Sequence, residues 1–471
     1  MPSERRFDGP ADPDHPTVGE RQALGRIARK EVPRSAHAGW SPRPGRPDPV
    51  SVLEAQIPSR LHDLIPIRHR RMSADAFAFY RGGAAIMAGD LAAGPTTSLT
   101  TQVCGDAHLS NFGLFGSPER ALVFDLNDFD ETHPGPFEWD LKRLVVSGVL
   151  LGRVRDWPRA AQRQLARQAA EGYRAAMARL AEQPNLEVWY DHLTEAQLLE
   201  LAAGAADPGV LRRTAKGVEK ARRNDAARAV GKFTEVVGGR RRIVHQPPIV
   251  ARLDQVLPDD EAARVHGELI GAFDGYLDSL PEHMRVMVGQ YRILDVALKV
   301  VGVGSVGTRC LIALAEGLDP DDLFFFQLKE AQRSVLAPFV EPVEWGNEGR
   351  RVVVGQHLMQ ATPDIFLGWT RTRSGDFYFR QFRDMKGGID PARILPDMAR
   401  TYLGLCGRIL ARAHARSGDR VAIASYLGRS DRFDRALVDF AVAYADQVEE
   451  DFARFREAID TGRIHSAHHD L

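Results

Sequence analysis

Apolar residues return at steps of three and four over several long stretches of the chain. Leu165, Ala169, Tyr173 and Leu180 share one helical face, Leu141, Leu144 and Val145 share another, and Phe433, Leu437, Phe440, Tyr444, Val448, Phe452 and Phe455 form a third. This spacing predicts amphipathic helices, the last with an apolar stripe for the core or for a partner. Residues 402–414 read as a further apolar helix, and a helical run covers 348–360. Shorter continuous apolar runs at 298–301, 311–314, 323–328 and 377–382 predict strands, and 61–93 reads as mixed helix and strand. The pattern divides the chain into a flexible segment at 1–50, a loop-rich part at 51–157, a mostly helical subdomain at 158–290, a small strand-rich unit at 291–385 and a helical remainder at 386–471. An α+β fold is expected.

Composition changes this picture at a few places. The first 49 residues hold nine of the 28 prolines, so they are expected to be extended and partly disordered. Three widely separated cysteines, Cys104, Cys310 and Cys406, argue against a disulfide framework and read as small buried hydrophobes in a reducing compartment. No apolar run approaches the roughly 18 residues of a membrane helix, and the first residues lack the apolar core of a signal peptide. A cytoplasmic enzyme with no membrane partner is expected.

The formal charge of −1 gives no overall bias toward nucleic acid. Residues 212–242 do carry eleven Lys or Arg against three acids. Without aromatic platforms other than Phe233, that stretch reads as a solvated face, and nucleic acid is not an expected partner. The three histidines His465, His468 and His469 belong to a terminus expected to fray.

The chemistry is concentrated in Cys104-Gly105-Asp106-Ala107-His108-Leu109-Ser110-Asn111 and in Val123-Phe124-Asp125-Leu126-Asn127-Asp128. Asn111 lies five positions after Asp106, the spacing at which a kinase catalytic loop places its proton-accepting Asp and its magnesium-binding Asn. Phosphoryl transfer needs hard oxygen ligands for magnesium and one carboxylate free to orient the attacking hydroxyl. Asp106 is therefore the candidate catalytic residue and Asn111 a candidate metal ligand. Asp125 closes an apolar run fourteen positions further on and is the preferred second metal ligand, with Asp128 as alternate or helper. His108 and Asp130 are candidates for orienting these groups. The same residues are also the commonest turn formers.

A second half-site lies downstream. The strand at 298–301 runs into Gly302-Val303-Gly304-Ser305-Val306-Gly307, a GxGxxG pattern whose glycines, with Ser305, would let backbone N–H groups approach phosphates. A returning strand and the apolar strand at 323–328 then deliver Lys329, which would pair with the α- and β-phosphates. Glu348 is the candidate carboxylate partner of Lys329. Arg81, beside Gly82 and Gly83, could grip a phosphate bidentately. The glycine pattern also opens dinucleotide-binding helices, with an acidic residue about 20 positions on that Asp319 to Asp322 could supply.

The aspartate block, continuing into Gly135-Pro136-Phe137-Glu138-Trp139-Asp140-Leu141, resembles the aminoglycoside and choline phosphotransferases. There an HGDxxxxN loop precedes an Ile-Asp metal site and a Gly-Asp-Pro-x-x-Asp-Leu turn; here Cys104 stands in the place of the His. From about Leu24 to the C-terminal helix the chain also resembles the bacterial family DUF2252. The matching segments are Phe-Tyr-Arg-Gly-Gly (79–83), 104–113, Asn-Asp-Phe-Asp-Glu (127–131), 301–309, Lys-Glu-Ala (329–331) and 413–419.

These resemblances imply a protein-kinase-like bilobal fold with a helical insert. Because the aspartate block precedes the glycine block, the fold would be circularly permuted. The implied activity is ATP- and Mg-dependent phosphoryl transfer to a hydroxyl of a small molecule or protein. Nucleotidyl transfer to a protein, an NAD(P)-binding oxidoreductase and a non-catalytic nucleotide-binding scaffold stay open as alternatives. A permuted kinase-like site requires Asp106, the metal carboxylate and Lys329 to converge on one cleft.

Overall fold

A computed structural model describes residues 16–204, 207–247, 249–256, 259–299, 306–382 and 385–467. Its largest sheet has six strands in the order Gly368–Thr372, Gly375–Gln381, Leu323–Ala331, Cys310–Glu316, Arg292–Lys299 and Val250–Arg252, all antiparallel. The central strand, Leu323–Ala331, is apolar at consecutive positions because both of its faces are covered. Phe324, Phe326 and Leu328 pack with Tyr276 and Phe379, and Phe325 packs on the opposite face with Phe233, Ile312 and Phe382. Full burial of one such side chain contributes about 1.5–3 kcal/mol. The Phe325 face turns polar at Gln327 and Lys329, two and four residues on. The register sets Arg380 opposite Gln327 and Tyr378 opposite Lys329, so these four side chains share that face.

The second region is helical. The helices Phe137–Val154, Arg159–Leu180, Pro396–Ala415 and Arg432–Asp460 form one continuous core. Phe137–Val154 is buried at every position from Phe137 to Gly152, including Glu138, Asp140, Lys142 and Arg143. Charged groups in such a place need partners, and two of these four reach the loop around Asp106. A small hairpin, Phe112–Gly116 with Leu122–Leu126, carries the Asn111 and Asp125 segments. The chain leaving the large sheet is fastened to this hairpin: the Leu114 and Gly387 backbones exchange hydrogen bonds at 2.7 and 2.9 Å.

Among the described residues the predicted strands and helices are present, residues 300 and 301 of the strand expected at 298–301 lying outside them, with three differences. Within 16–49, which the proline content marked as extended, Val18–Glu31 is a helix closed by a Thr17–Glu20 capping box. Arg21 meets Asp419 at 2.9 Å and Arg29 donates to Tyr426 O at 2.9 Å, tying this helix to the C-terminal region. Residues 1–15 lie outside the described residues. Between 61 and 93 the chain forms Ile65–Met72, Ala76–Gly82 and Ala84–Ala92, all helices, with no strand. The part read as a helical subdomain also contributes Val250–Arg252 to the large sheet, so the sheet begins before residue 291.

The basic stretch sits on exposed faces of Pro208–Arg222, Ala226–Phe233 and the hairpin Thr234–Val237 with Arg240–Ile243. Part of its charge is paired, Arg222 with Glu195 and Arg242 with Asp254 and Asp295. All three cysteines are buried thiols. Among the described residues no helix is long and apolar enough to cross a membrane.

Candidate active site

The strand Thr100–Val103 pairs with His133–Pro136 and hands the chain to Cys104 and Gly105. The Asp140 carboxylate, in the first turn of Phe137–Val154, accepts from Cys104 N at 2.6 Å and Gly105 N at 2.9 Å, and lies 3.2 Å from His414 Nε2. Gly105 has φ +80°, and a Cβ there would stand 2.3 Å from Glu131 O, so this position requires glycine. The turn points Asp106 into a polar cavity of about 110 Å³.

Asp106 Oδ1 accepts from the Arg143 guanidinium at 2.7 Å, and Oδ2 lies 3.7 Å from His108 Nε2. Burial pushes the Asp106 carboxyl up to about 7; Arg143 opposes this, while the charges of Glu131 and Asp128 add to it. Burial, with Arg81 and Arg143, pushes the His108 imidazole well down, so the ring is neutral. Asn111 Nδ2 donates to Asp106 O at 2.7 Å, which leaves the amide oxygen for the cavity that Asn111 lines.

The large sheet closes the other side. Lys329 Nζ lies 2.5 Å from Asp130 Oδ2 and 3.6 Å from Asp128 Oδ1, and Tyr378 OH donates to Asp130 Oδ1 at 2.6 Å. Although burial opposes it, the Lys329 ammonium beside Asp130 holds that carboxyl below its ordinary value. Lys329 rises above its own ordinary value because the two aspartates outweigh the effect of burial. The Lys329–Asp130 contact joins residues 199 positions apart in sequence. Asp106, His108, Asn111, Asp128, Asp130 and Arg81 all line the one cavity.

Two expected roles require correction. Asp125 does not face the cavity: it is 2 % exposed, pairs with the Arg412 guanidinium and accepts from Ala361 N at 3.1 Å. Asp128, whose side chain is 35 % exposed, lines the cavity together with Asn111. Glu348 likewise does not meet Lys329. It pairs with Arg351 at 2.6 Å, and Arg351 donates to Thr132 O, Asp130 O and Gln332 O. The carboxylate for Lys329 therefore comes from the loop after Asp128, which Arg351 holds in place, rather than from the following helix.

Gly302, Gly304 and Ser305 lie outside the described residues. Gly307 has φ +95°, its carbonyl accepts from Leu61 N at 2.7 Å, and an added Cβ would stand 3.1 Å from Arg60 Cβ. The end of the glycine segment thus rests on the chain at 60–61, and Thr308 lines the cavity. Arg81 is at the end of Ala76–Gly82 with its Nε buried and without a partner.

Arg143, Tyr378, Arg60 and Arg68 were not singled out from sequence. The usable signal for Arg143 was the Lys142-Arg143 pair at the head of the run 141–152, whose only other polar side chain is Ser147.

Among the described residues no group of three or more His, Cys, Asp or Glu is arranged to hold a metal. Asn111 and Asp128 both line the cavity and carry the oxygen donors suited to magnesium, which keeps waters and completes its shell on phosphates.

Fold and site together define a mixed helix-and-sheet protein in which an acidic loop, paired with a sheet lysine, borders one polar cavity. The chain belongs to the DUF2252 family, described as uncharacterized protein conserved in bacteria, whose model matches residues 60–458. No curated protein and no solved structure matches it.

Proposed function

We propose that the protein is an ATP- and Mg-dependent phosphotransferase of permuted, protein-kinase-like bilobal fold, acting on a hydroxyl acceptor. The observation that carries this reading is the meeting of Lys329 with the Asp128–Asp130 loop at 2.5 Å, next to Asp106 and Asn111. Lys329 is on the third of three sequential antiparallel strands, Arg292–Lys299, Cys310–Glu316 and Leu323–Ala331, and the helix Glu348–Met359 follows. That is the order expected around a kinase phosphate-binding lysine. The chain after Gly307 enters the strand Cys310–Glu316 instead of a helix, which counts against dinucleotide binding.

Lys329 would bind the phosphates, exchanging part of its pairing with Asp128 for them. Asn111 and Asp128 would hold magnesium, which supplies charge neutralisation at the transferring phosphoryl group. Asp106, kept in orientation by Arg143, would take the proton of the acceptor hydroxyl as its oxygen bonds to the γ-phosphorus. The bond from phosphorus to the β,γ-bridging oxygen breaks, and the nucleoside diphosphate leaves. A carboxyl near 7 is poised for such proton transfer at neutral pH.

The test is a thermal-shift comparison of ATP plus magnesium with NAD and NADP. Stabilisation by ATP only when magnesium is present, and its loss in Asp128→Ala, is the expected result. Stabilisation by NAD or NADP alone, or an ATP response indifferent to Asp128→Ala, would overturn the reading.

A further inference from the structure

Resting on the phosphotransferase reading, we propose that Arg68 and Arg81 bind an oxyanionic group on the acceptor itself, so that the acceptor is a small anionic hydroxyl compound such as a phosphomonoester. Arg68 is 1 % exposed and lines the same cavity as Asp106. Its Nη2 donates to Gln56 Oε1 at 3.1 Å and to Gly82 O at 3.0 Å, whereas its Nε has no partner. Arg81 Nε is also buried without a partner, and neither residue makes a salt bridge among the described residues. Burial pushes both guanidiniums below their ordinary values; for Arg68 the nearby charge of Arg60 adds to it, and for Arg81 the charges of Asp106, Asp75 and Asp128 oppose it. Buried cations that lack counter-ions are costly unless something else supplies the anion. Guanidiniums are also the groups best matched to a phosphate or carboxylate.

Position assigns this anion to the acceptor. Lys329 does not line the cavity, whereas its two ion-pair partners Asp128 and Asp130 do, so the ammonium lies behind these carboxylates. Arg68 and Arg81 line the cavity into which Asp106 points, and the Asp106 charge acts on Arg81, so they border the space where the hydroxyl must arrive. Arg60, whose Nη1 donates to Val306 O at 2.6 Å, forms the edge of the chamber toward the glycine segment. These arginines come from residues 60–81, upstream of the aspartate block, so this part of the chain would set acceptor choice. His108, 3 % exposed with Nδ1 unpartnered, adds a neutral polar group beside the same space.

The experiment is calorimetric titration of inorganic phosphate into the full-length protein, with and without saturating AMP-PNP and magnesium. The expected result is phosphate binding in both conditions, weakened about tenfold or more in Arg81→Gln, with AMP-PNP affinity of that variant within about twofold of wild type. Arg68→Lys, which keeps the buried charge but loses the fork, is expected to weaken phosphate as well. Displacement of phosphate by AMP-PNP would give the arginines to the nucleotide and overturn the proposal. Failure of phosphate to bind, or binding unchanged in both variants, would overturn it too. Phosphate binding without any AMP-PNP binding would instead sink the phosphotransferase reading, and the acceptor assignment with it.

Discussion

On either side of the Asp128–Asp130 loop the protein buries positive charge, in two different ways. Toward the large sheet, Lys329 is held by Asp130 and Asp128, and Tyr378 OH donates to Asp130. Toward the N-terminal helices, Arg68 and Arg81 line the cavity and make no salt bridge among the described residues. A paired cation is already stabilised by its own chain; an unpaired one is stabilised only when an anion arrives. In the phosphotransferase reading, the difference separates a pre-organised edge, ready to trade one contact for another, from an edge whose charges would complement a ligand. Asp125 and Asp128 repeat the contrast within one short segment, the first neutralised inside the core and the second open to the cavity.

The largest effect that can break this comparison is on Asp125. Asp125→Ala leaves Arg412, 2 % exposed, without its carboxylate and is expected to cost about 3–5 kcal/mol in urea unfolding. Asp128→Ala is expected to leave stability within about 1 kcal/mol and to abolish magnesium-dependent ATP binding. Equal stability losses in the two variants would contradict the assigned division between core and cavity.

Next in size is Asp106→Asn, expected to lower phosphoryl transfer about 10²–10⁴-fold with the fold retained by circular dichroism. The wild-type rate should carry an acid limb near pH 7, rising with pH as Asp106 ionises, and the variant should lack it. The folded state holds the Asp106 proton more tightly than the unfolded chain does. Asp106 therefore contributes stability fully at acid pH, and that contribution declines as pH rises from about 4 through about 7. A wild-type profile flat across pH 7 would remove Asp106 as the base.

Smaller effects sharpen the contrast between the two edges. Arg81→Gln removes a cation that makes no salt bridge among the described residues and is expected to leave the urea midpoint unchanged or slightly raised. A fall of several kcal/mol would mean that Arg81 has a structural partner. Glu348→Gln removes one of several contacts to Arg351 and should cost about 1 kcal/mol or less, with ATP affinity unchanged. A tenfold loss of ATP affinity in this variant would restore Glu348 to the phosphate site.

Much of the candidate site was legible because its signals are local. The Gly105-Asp106 turn and the five-position spacing to Asn111 depend on neighbouring residues, and Lys329 ends an apolar strand that could be read directly. Asp125 was misassigned because spacing along a strand does not say which side chain a distant residue will claim. Arg412, 287 positions away in sequence, claims it. Glu348 was misassigned because a helix after the lysine strand supplies the carboxylate in kinases, while here the loop acid Asp130 reaches Lys329 first. Arg143 was hidden inside a helix read only for its apolar face, and Arg68 had no motif of its own. The N-terminal helix was masked by prolines, yet its Thr17–Glu20 capping box was present in the sequence.

Co-crystallisation with AMP-PNP and magnesium tests the composite site most directly. The predicted result places the triphosphate within hydrogen-bonding distance of Lys329 Nζ, with the metal on Asn111 and Asp128 and Asp106 facing the γ-phosphate across the space left for the acceptor. A nucleotide bound away from Lys329, or a metal held by Asp125 in place of Asp128, would contradict it.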